Sequence, residues 1–547
     1  MRASYSRGAF RQRRSRSVPT KFPTRNGARS PLLRFRLRDI VKVMRLASIA
    51  IGLSLLACGK KEEEAPKESP RVVMPPPQLK KPVDTKPLPQ LEADTGRATG
   101  KPVWAVGFGG LGIDSPRDIA VAASGDAYVV GLFDDVIDFG GTIGKKVPPQ
   151  NDDPKAPKGR TSDGYLVKVG ADGKIAWAQT FGGKRDDTAN GVAVRGDKVV
   201  VVGNYLDDLK LGEFTKKSAG SDDAFVAMFD KDGVVQWAWN FGGIDSDGAN
   251  AVVAAPDGGW IVGGSFSRTC DFGSTQLKTR GGTDAMLLKL SAGGDLEWLK
   301  QFGGAYQDSI THLAVDGQGN IYVQGQFRDV SDWGGKQPLK AGGGADYDVV
   351  LAKYDLNGDY LWAQRFGNAF DDVAGGVTVD PSGHVTMVGS FDQSASFGEG
   401  DDHKSLGESD IFVARFTPAG KLEWARTIGA EREDIAFGVA SDSAGNTVTT
   451  GWFQNSVDFG KGPLTSKGNK DVFALKLDAK GQTVWAQSFG DKDHDQGRAL
   501  AIDDKGAAYV AGIYRFTFGA VSPALDSVRV DGDRIPKPDT FVLKLDR

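Results

Sequence analysis

A loop near the end of the chain reads Asp491-Lys492-Asp493-His494-Asp495-Gln496-Gly497. Alternating carboxylates at this spacing offer the oxygen-rich environment of a Ca²⁺ site, and Asp245-Ser246-Asp247-Gly248 is a shorter version. The Glu that an EF-hand places at its twelfth position is replaced by Ile502, so that motif is excluded and Asp491, Asp493 and Asp495 stand as the metal candidates. No other cofactor is implied. The four histidines, His312, His384, His403 and His494, have neither HxxxH nor HExxH spacing. There is no GxSxG elbow and no GxxxxGK(S/T) phosphate loop. No catalytic residue is assigned, and the expectation is a protein that is not an enzyme.

Two further sets of carboxylates recur. The first lies six residues after an aromatic residue or Ile that precedes a recurrent Gly: Asp114, Asp187, Asp247, Asp308, Asp372, Asp434 and Asp495. The second opens an apolar run: Asp163, Asp223, Asp284, Asp348, Asp410, Asp471 and Asp539, followed five residues on by Lys or Arg except at Met228. A ring of carboxylates at a channel mouth would predict cation binding. The favoured reading is structural, with each Asp accepting backbone N–H bonds at a turn, because a residue needed in every copy serves the copy.

What must position these residues is a repeat. Trp104, Trp177, Trp237, Trp298, Trp362, Trp424 and Trp485 lie 60–73 residues apart, and self-similarity at such a period marks a repeat architecture. Aligned on the Trp, each unit holds four short apolar or alternating runs, as in Asp118 to Ala122, Ala127 to Gly131, Tyr165 to Val169 and Ile175 to Phe181. Runs of this length bounded by Gly and Asp are strands, and no long stretch carries a helical period. Short Gly-bearing turns join the first strand to the second and the third to the fourth. The crossing after the Trp strand and a long loop between the second and third strands then share one face, expected to be the variable one. The residue after the crossing's first Gly is Gly110, Gly183, Gly243, Gly304, Asn368, Ala430 or Asp491, which suggests left-handed backbone. Gly-x-aromatic ends every second strand, from Gly131/Phe133 to Gly512/Tyr514; these aromatics and the Trp set are expected to fill the wedges between sheets.

The expected fold is all-β: a seven-bladed β-propeller of four-stranded blades over residues 101–547, with the N-terminal strand closing the last blade. Closure is expected because Lys101 to Phe108 has a Trp strand with nothing before it, while the last unit stops at Leu545 without one. GGTDAMLLKLSAGGDLEWLKQFGG followed by VDGQGNIYVQGQF resembles the bacterial β-propeller repeat abbreviated SBBP. That resemblance spans roughly residues 101–547 and implies a seven-bladed propeller on an exported protein, with no catalytic motif to carry over. DGxxxW, over Asp172 to Trp177, also resembles pyrroloquinoline-quinone-type propellers and the outer-membrane assembly lipoprotein built from them, whose repeats are shorter.

The front end is different material. Residues 1–43 hold eleven Arg and two Lys against Asp39 and read as a basic leader from an early start, with Met44 the true initiator. Residues 44–57 form a signal peptide too short to span a bilayer, and Leu55-Leu56-Ala57-Cys58 resembles a lipobox, making Cys58 the lipidation site. Residues 58–100, rich in Pro, Lys and Glu, read as a disordered tether. The expectations are an exported protein, lipid-anchored to a bacterial membrane, outer membrane or cell surface, and monomeric. Its partner would be an unidentified envelope protein or surface ligand; the acidic body argues against nucleic acid. Its role would be that of an interaction scaffold, the alternatives being a carbohydrate- or Ca²⁺-binding module and an enzyme with a site at the channel mouth. Asp134 to Ser162 and Arg515 to Pro538 are the long outlying loops where a partner site is expected. Cys270 reads as a small semi-buried loop residue.

Overall fold

The computed structural model describes residues 98–110, 112–134, 136–140, 146–147, 161–342, 346–368, 372–398, 400–520, 525–526 and 537–547. The leader, the signal segment, Cys58 and nearly all of the tether lie outside them, as does most of the two outlying loops. The chain divides into Met1–Lys86 and Pro87–Arg547, and the described residues all belong to the second unit.

Among the described residues every regular element is a β-strand. In one unit Asp308–Val315, Ile321–Phe327, Asp348–Tyr354 and Tyr360–Phe366 pair antiparallel in that order. The third strand is buried along its whole length because it is covered on both faces, which is why it reads as an unbroken apolar run. The same order holds in the strand sets that begin at Asp114, Val373 and Ile435, each a separate four-stranded sheet.

The expectation of separate four-stranded blades throughout is corrected by the remaining sheets. The strands from Asp187 to Gly243 and from Gly248 to Gly304 merge into a ten-stranded path, and the closing sheet has six strands. The second Gly of the crossing is the physical reason. Gly243 pairs with Cys270, Gly304 with Ser331 and Gly110 with Ile137, so the outer strand of one unit bonds to an extra hairpin of the next. A Cβ at Gly243 or Gly304 would collide with the carbonyl of Thr269 or Val330. At Gly183 the same close approach leaves a single bridge, Gly182 with Lys210, and where Asn368, Ala430 and Asp491 occupy this position no such ladder forms among the described residues. None of the seven residues has positive φ, so close approach replaces the left-handed backbone expected from the sequence.

The first strand, Pro102–Gly110, pairs with the last, Asp539–Leu545, placing Trp104 opposite Lys544 and Phe108 opposite Thr540. Beyond it the tether ends earlier than expected. Thr99 N–H donates to the Arg547 carbonyl at 3.1 Å, and Asp546 accepts from the Lys101 amide at 2.8 Å and from the Thr99 hydroxyl. Gly100, at φ 63°, lies against the Trp485 ring. The two chain ends thus rebuild the turn that other units make with continuous chain.

That turn is what the repeated Trp holds. Trp104, Trp177, Trp298, Trp362 and Trp424 donate their indole N–H to the Ala171, Lys231, Leu356, Pro418 and Ala479 carbonyls, in the third-to-fourth-strand turn of the following unit, at 2.9–3.1 Å. Their rings cover that turn's Gly, as Trp104 covers Gly173 and Trp424 covers Gly481. These Trp residues are half-buried latches at the rim, and the wedge expected to hold them is filled instead by the second-strand aromatics. Phe133, Tyr205, Phe266, Phe327, Phe391, Phe453 and Tyr514 are all buried, each worth roughly 2–3 kcal/mol relative to exposure.

The cation five residues after the second Asp also has a structural partner. Lys168, Lys289, Arg415, Lys476 and Lys544 reach the first-hairpin carboxylates Asp126, Asp257, Asp380, Asp442 and Asp503 at 2.5–3.5 Å. Inner strands pack each against the next around the array, and the last packs against the first.

Candidate functional site

The crossings position both sets of carboxylates. Every Asp of the first set is buried and closes its turn by accepting backbone N–H bonds. Gly110, Gly183, Gly304, Ala430 and Asp491 donate from four residues back to Asp114, Asp187, Asp308, Asp434 and Asp495 at 2.7–2.9 Å. Asn368 donates to Asp372 at 3.3 Å, and Asp247 takes the Ser267 amide at 2.9 Å. The second set does the same one strand away, where Ala219, Leu406 and Lys467 donate to Asp223, Asp410 and Asp471. Gly between the two carboxylates is compulsory: a Cβ on Gly490 would lie 2.7 Å from Asp471 Cγ and 2.9 Å from Asp495 Oδ2.

Burial, assisted by the second-set Asp of the preceding unit, raises these acids. Asp187 is pushed up to about 9, and Asp247, Asp308, Asp434 and Asp495 to about 7. The carboxylates therefore sit inside the turns that they cap, away from any channel mouth.

The Ca²⁺ candidates do not converge. Asp495 turns inward to the Asp491 and Arg515 amides, whereas Asp493 faces His494 and Arg515 at 3.4 and 3.7 Å. Among the described residues no three His, Cys, Asp or Glu side chains are placed to hold one metal ion. Cys270 is fully buried within the strand Trp260–Phe272 and not in a loop, and burial pushes its thiol up, away from the reactive thiolate.

The loop between second and third strands proves to be a hairpin. Examples are Asp208–Leu211 with Phe214–Lys217, Val330–Asp332 with Leu339–Lys340, and Ser456–Asp458 with Pro463–Thr465. Each carries one buried apolar residue before a Gly: Phe139, Leu211, Phe272, Trp333, Phe397, Phe459 and Phe518. These staple the hairpin onto the outer strand of the preceding unit, with ring centres 4.8 Å apart for Phe272 on Phe241 and 5.6 Å for Trp333 on Phe302. The recurrent signal is present in the sequence as Asp138-Phe139-Gly140, Asp271-Phe272-Gly273, Asp332-Trp333-Gly334 and Asp458-Phe459-Gly460, each aromatic eight residues after the second-strand Gly; Leu211 replaces the aromatic in one copy, and the spacing shortens to six at Phe518. The face expected to vary thus has a repeated underside. What differs is what projects from it: Ile244 at 66%, Tyr306 at 48% and Leu406 at 75% exposure.

A cavity of about 240 Å³ runs between the inner strands and is lined by residues of every unit, from Arg117 through Asn190, Asn250, His312 and Gly376 to Phe437 and Arg498. Polar groups do converge there from separate units, which no spacing in the sequence could reveal.

Comparison with known proteins agrees on the repeat. Residues 297–326 match the SBBP β-propeller repeat family. Two curated relatives match: a WD repeat-containing protein of Acanthamoeba polyphaga mimivirus, 21% identical over 30% of this chain and 14% of its own length, and the regulatory protein FlaEY of Caulobacter vibrioides, 29% identical over 31% and 18%. The match therefore spans less than a fifth of either relative. Similar solved structures include the Neurospora crassa Pan2 WD40 domain, at 9% identity and TM-score 0.40 over 79% of this chain and 89% of that one. Another is YCF48 bound to D1 peptide, at 9% identity and TM-score 0.37 over 84% and 100%. The chain is a β-propeller repeat protein.

Proposed function

We propose that this chain is a non-enzymatic cell-envelope lipoprotein, anchored through Cys58, whose seven-bladed propeller is a scaffold for protein interaction. The count of seven is supported by inner strands that succeed one another in a closed cycle and jointly line one cavity. The interaction reading rests on one observation: Ile244 and Tyr306 on crossing loops and Leu406 on the strand Asp402–Phe416 stand exposed. Rigid stapled hairpins beneath them present these side chains without an ordering penalty. The anchor reading rests on the sequence of residues 44–58, which would hold a monomeric body at the outer membrane or cell surface.

Two measurements separate the parts. Cys58→Ser is expected to move the protein from the membrane to the soluble fraction; unchanged attachment would refute the anchor. A variant with Ile244→Ser, Tyr306→Ser and Leu406→Ser is expected to lose partners that the wild type retains in crosslinked membranes while melting at the same temperature. An unchanged crosslinking pattern would refute the interaction face.

A further inference from the structure

The inner strand of every unit carries a register shift, and the residue at the shift is Arg117, Asn190, Asn250, Thr311, Gly375, Phe437 and Arg498 in turn. A bulge at the same place in each inner strand re-aims one side chain relative to the regular pleat. Six of these seven positions belong to a layer at the cavity described above, where Arg117, Asn190, Asn250, Thr311, Phe437 and Arg498 line the wall. The first and last inner strands are neighbours, so Arg117 and Arg498 occupy the same bulge position on adjacent strands.

Neither arginine donates a hydrogen bond or forms an ion pair with any described residue, and Arg498 Nε is a buried donor with no acceptor. Each guanidinium feels its surroundings: burial lowers both, and Arg117 lowers Arg498 further, to about 10. The one carboxylate in the wall, Asp118, is occupied elsewhere, with its oxygens taking the Ile119 and Val192 amides at 2.8 and 2.9 Å. His312, also in the wall, is held down to about 4 by burial and is uncharged at neutral pH. The Phe437 ring lies 5.1 Å from the Arg498 guanidinium and fixes its plane. Asn190 and Asn250 spend their amide N–H groups on neighbouring strands, at the Ala249 and Ile310 carbonyls. Arg498 packs against a ring, whereas Arg117 is exposed toward solvent; two positive, planar groups with no acceptor among the described residues have the chemistry that takes an oxyanion through paired N–H bonds.

We infer that the channel is a binding site for a small oxyanion, a carboxylate or phosphate, held between Arg117 and Arg498 in the cavity of about 240 Å³.

To test this, the full chain, solubilised in detergent, is melted in chloride buffer of constant ionic strength with increasing inorganic phosphate or citrate. A saturable rise in Tm with either anion is expected, citrate alone pointing to a carboxylate ligand and phosphate alone to a phosphoryl one. Arg117→Gln and Arg498→Gln should each weaken the apparent affinity about ten-fold or more, and together remove the response. Arg432→Gln, on the exposed surface, should leave it intact. If a Gln variant fails to fold, the corresponding Lys variant, which keeps charge but loses the planar fork, decides by the same criterion. No response to either anion, or an equal response in wild type and the substituted proteins, overturns the site.

Discussion

The crossing layer and the bulge layer are both repeated in backbone, yet they treat side chains in opposite ways. At the crossings the same carboxylate recurs in every unit because each turn has the same amides to satisfy. At the bulges the backbone recurs and the residue does not: Arg, Asn, Asn, Thr, Gly, Phe and Arg succeed one another, and all but the Gly line the cavity. A position that serves its own unit is fixed by local chemistry, whereas a position that faces a shared space is free to differ. Differences around such a space are what give a near-symmetric ring a particular ligand.

Four experiments can break or sharpen that contrast. The largest effect is expected from Phe459→Ala, which removes the ring packed on Phe453 and Phe473 of its own unit and clustered with Ile428 of the preceding outer strand. Loss of about 3–4 kcal/mol in chemical denaturation is expected. Asp434→Ala strands the Ala430 and Gln454 amides and should lower stability by about 2 kcal/mol in the same assay. A neutral result at either position would mean that the crossing layer does not hold the units together.

The third experiment is a pH series. Asp247, Asp308, Asp434 and Asp495 are raised to about 7 and Asp187 to about 9, so the fold favours their protonated forms. Their contribution is complete below the ordinary carboxylate range and is lost as pH rises through these values. Tm should therefore fall from about pH 4 to about pH 7, and more gently to about pH 9 on account of Asp187, by about 5 °C in all, and Asp434→Asn should flatten part of the slope below pH 7. A rise in Tm over this window would show that the buried acids are ionised and compensated. The smallest effect is expected from Arg498→Gln in chloride buffer. Removing one of two adjacent guanidinium groups should leave Tm unchanged or raise it by about 1–2 °C, since no protein acceptor is lost. A clear fall would move Arg498 into the class of residues that hold the fold.

The sequence made the crossing layer legible because identical residues recur there at equal spacing. Asp308 and Gly303 could be read as turn chemistry from their copies alone, and the unmatched Trp104 strand located the closure. The hairpin staples are half visible: Asp458-Phe459-Gly460 and Asp271-Phe272-Gly273 share a motif in register, eight residues after the second-strand Gly, but Leu211 and the shorter spacing to Phe518 break the pattern. The Trp residues were recognised as structural but assigned to the wrong surface, since a wedge and a rim latch place the same demand on residue type.

By itself, then, the chain determined its strands, their repeat, the capping acids and the pairing of its two ends, all of which depend on neighbours within one unit or on matching copies. Only the tertiary structure decided which residues share the channel. A bulge shifts the side-chain alternation of an inner strand at a place that residue identity does not mark, and ring closure brings Arg117 beside Arg498 across almost the whole length of the folded chain.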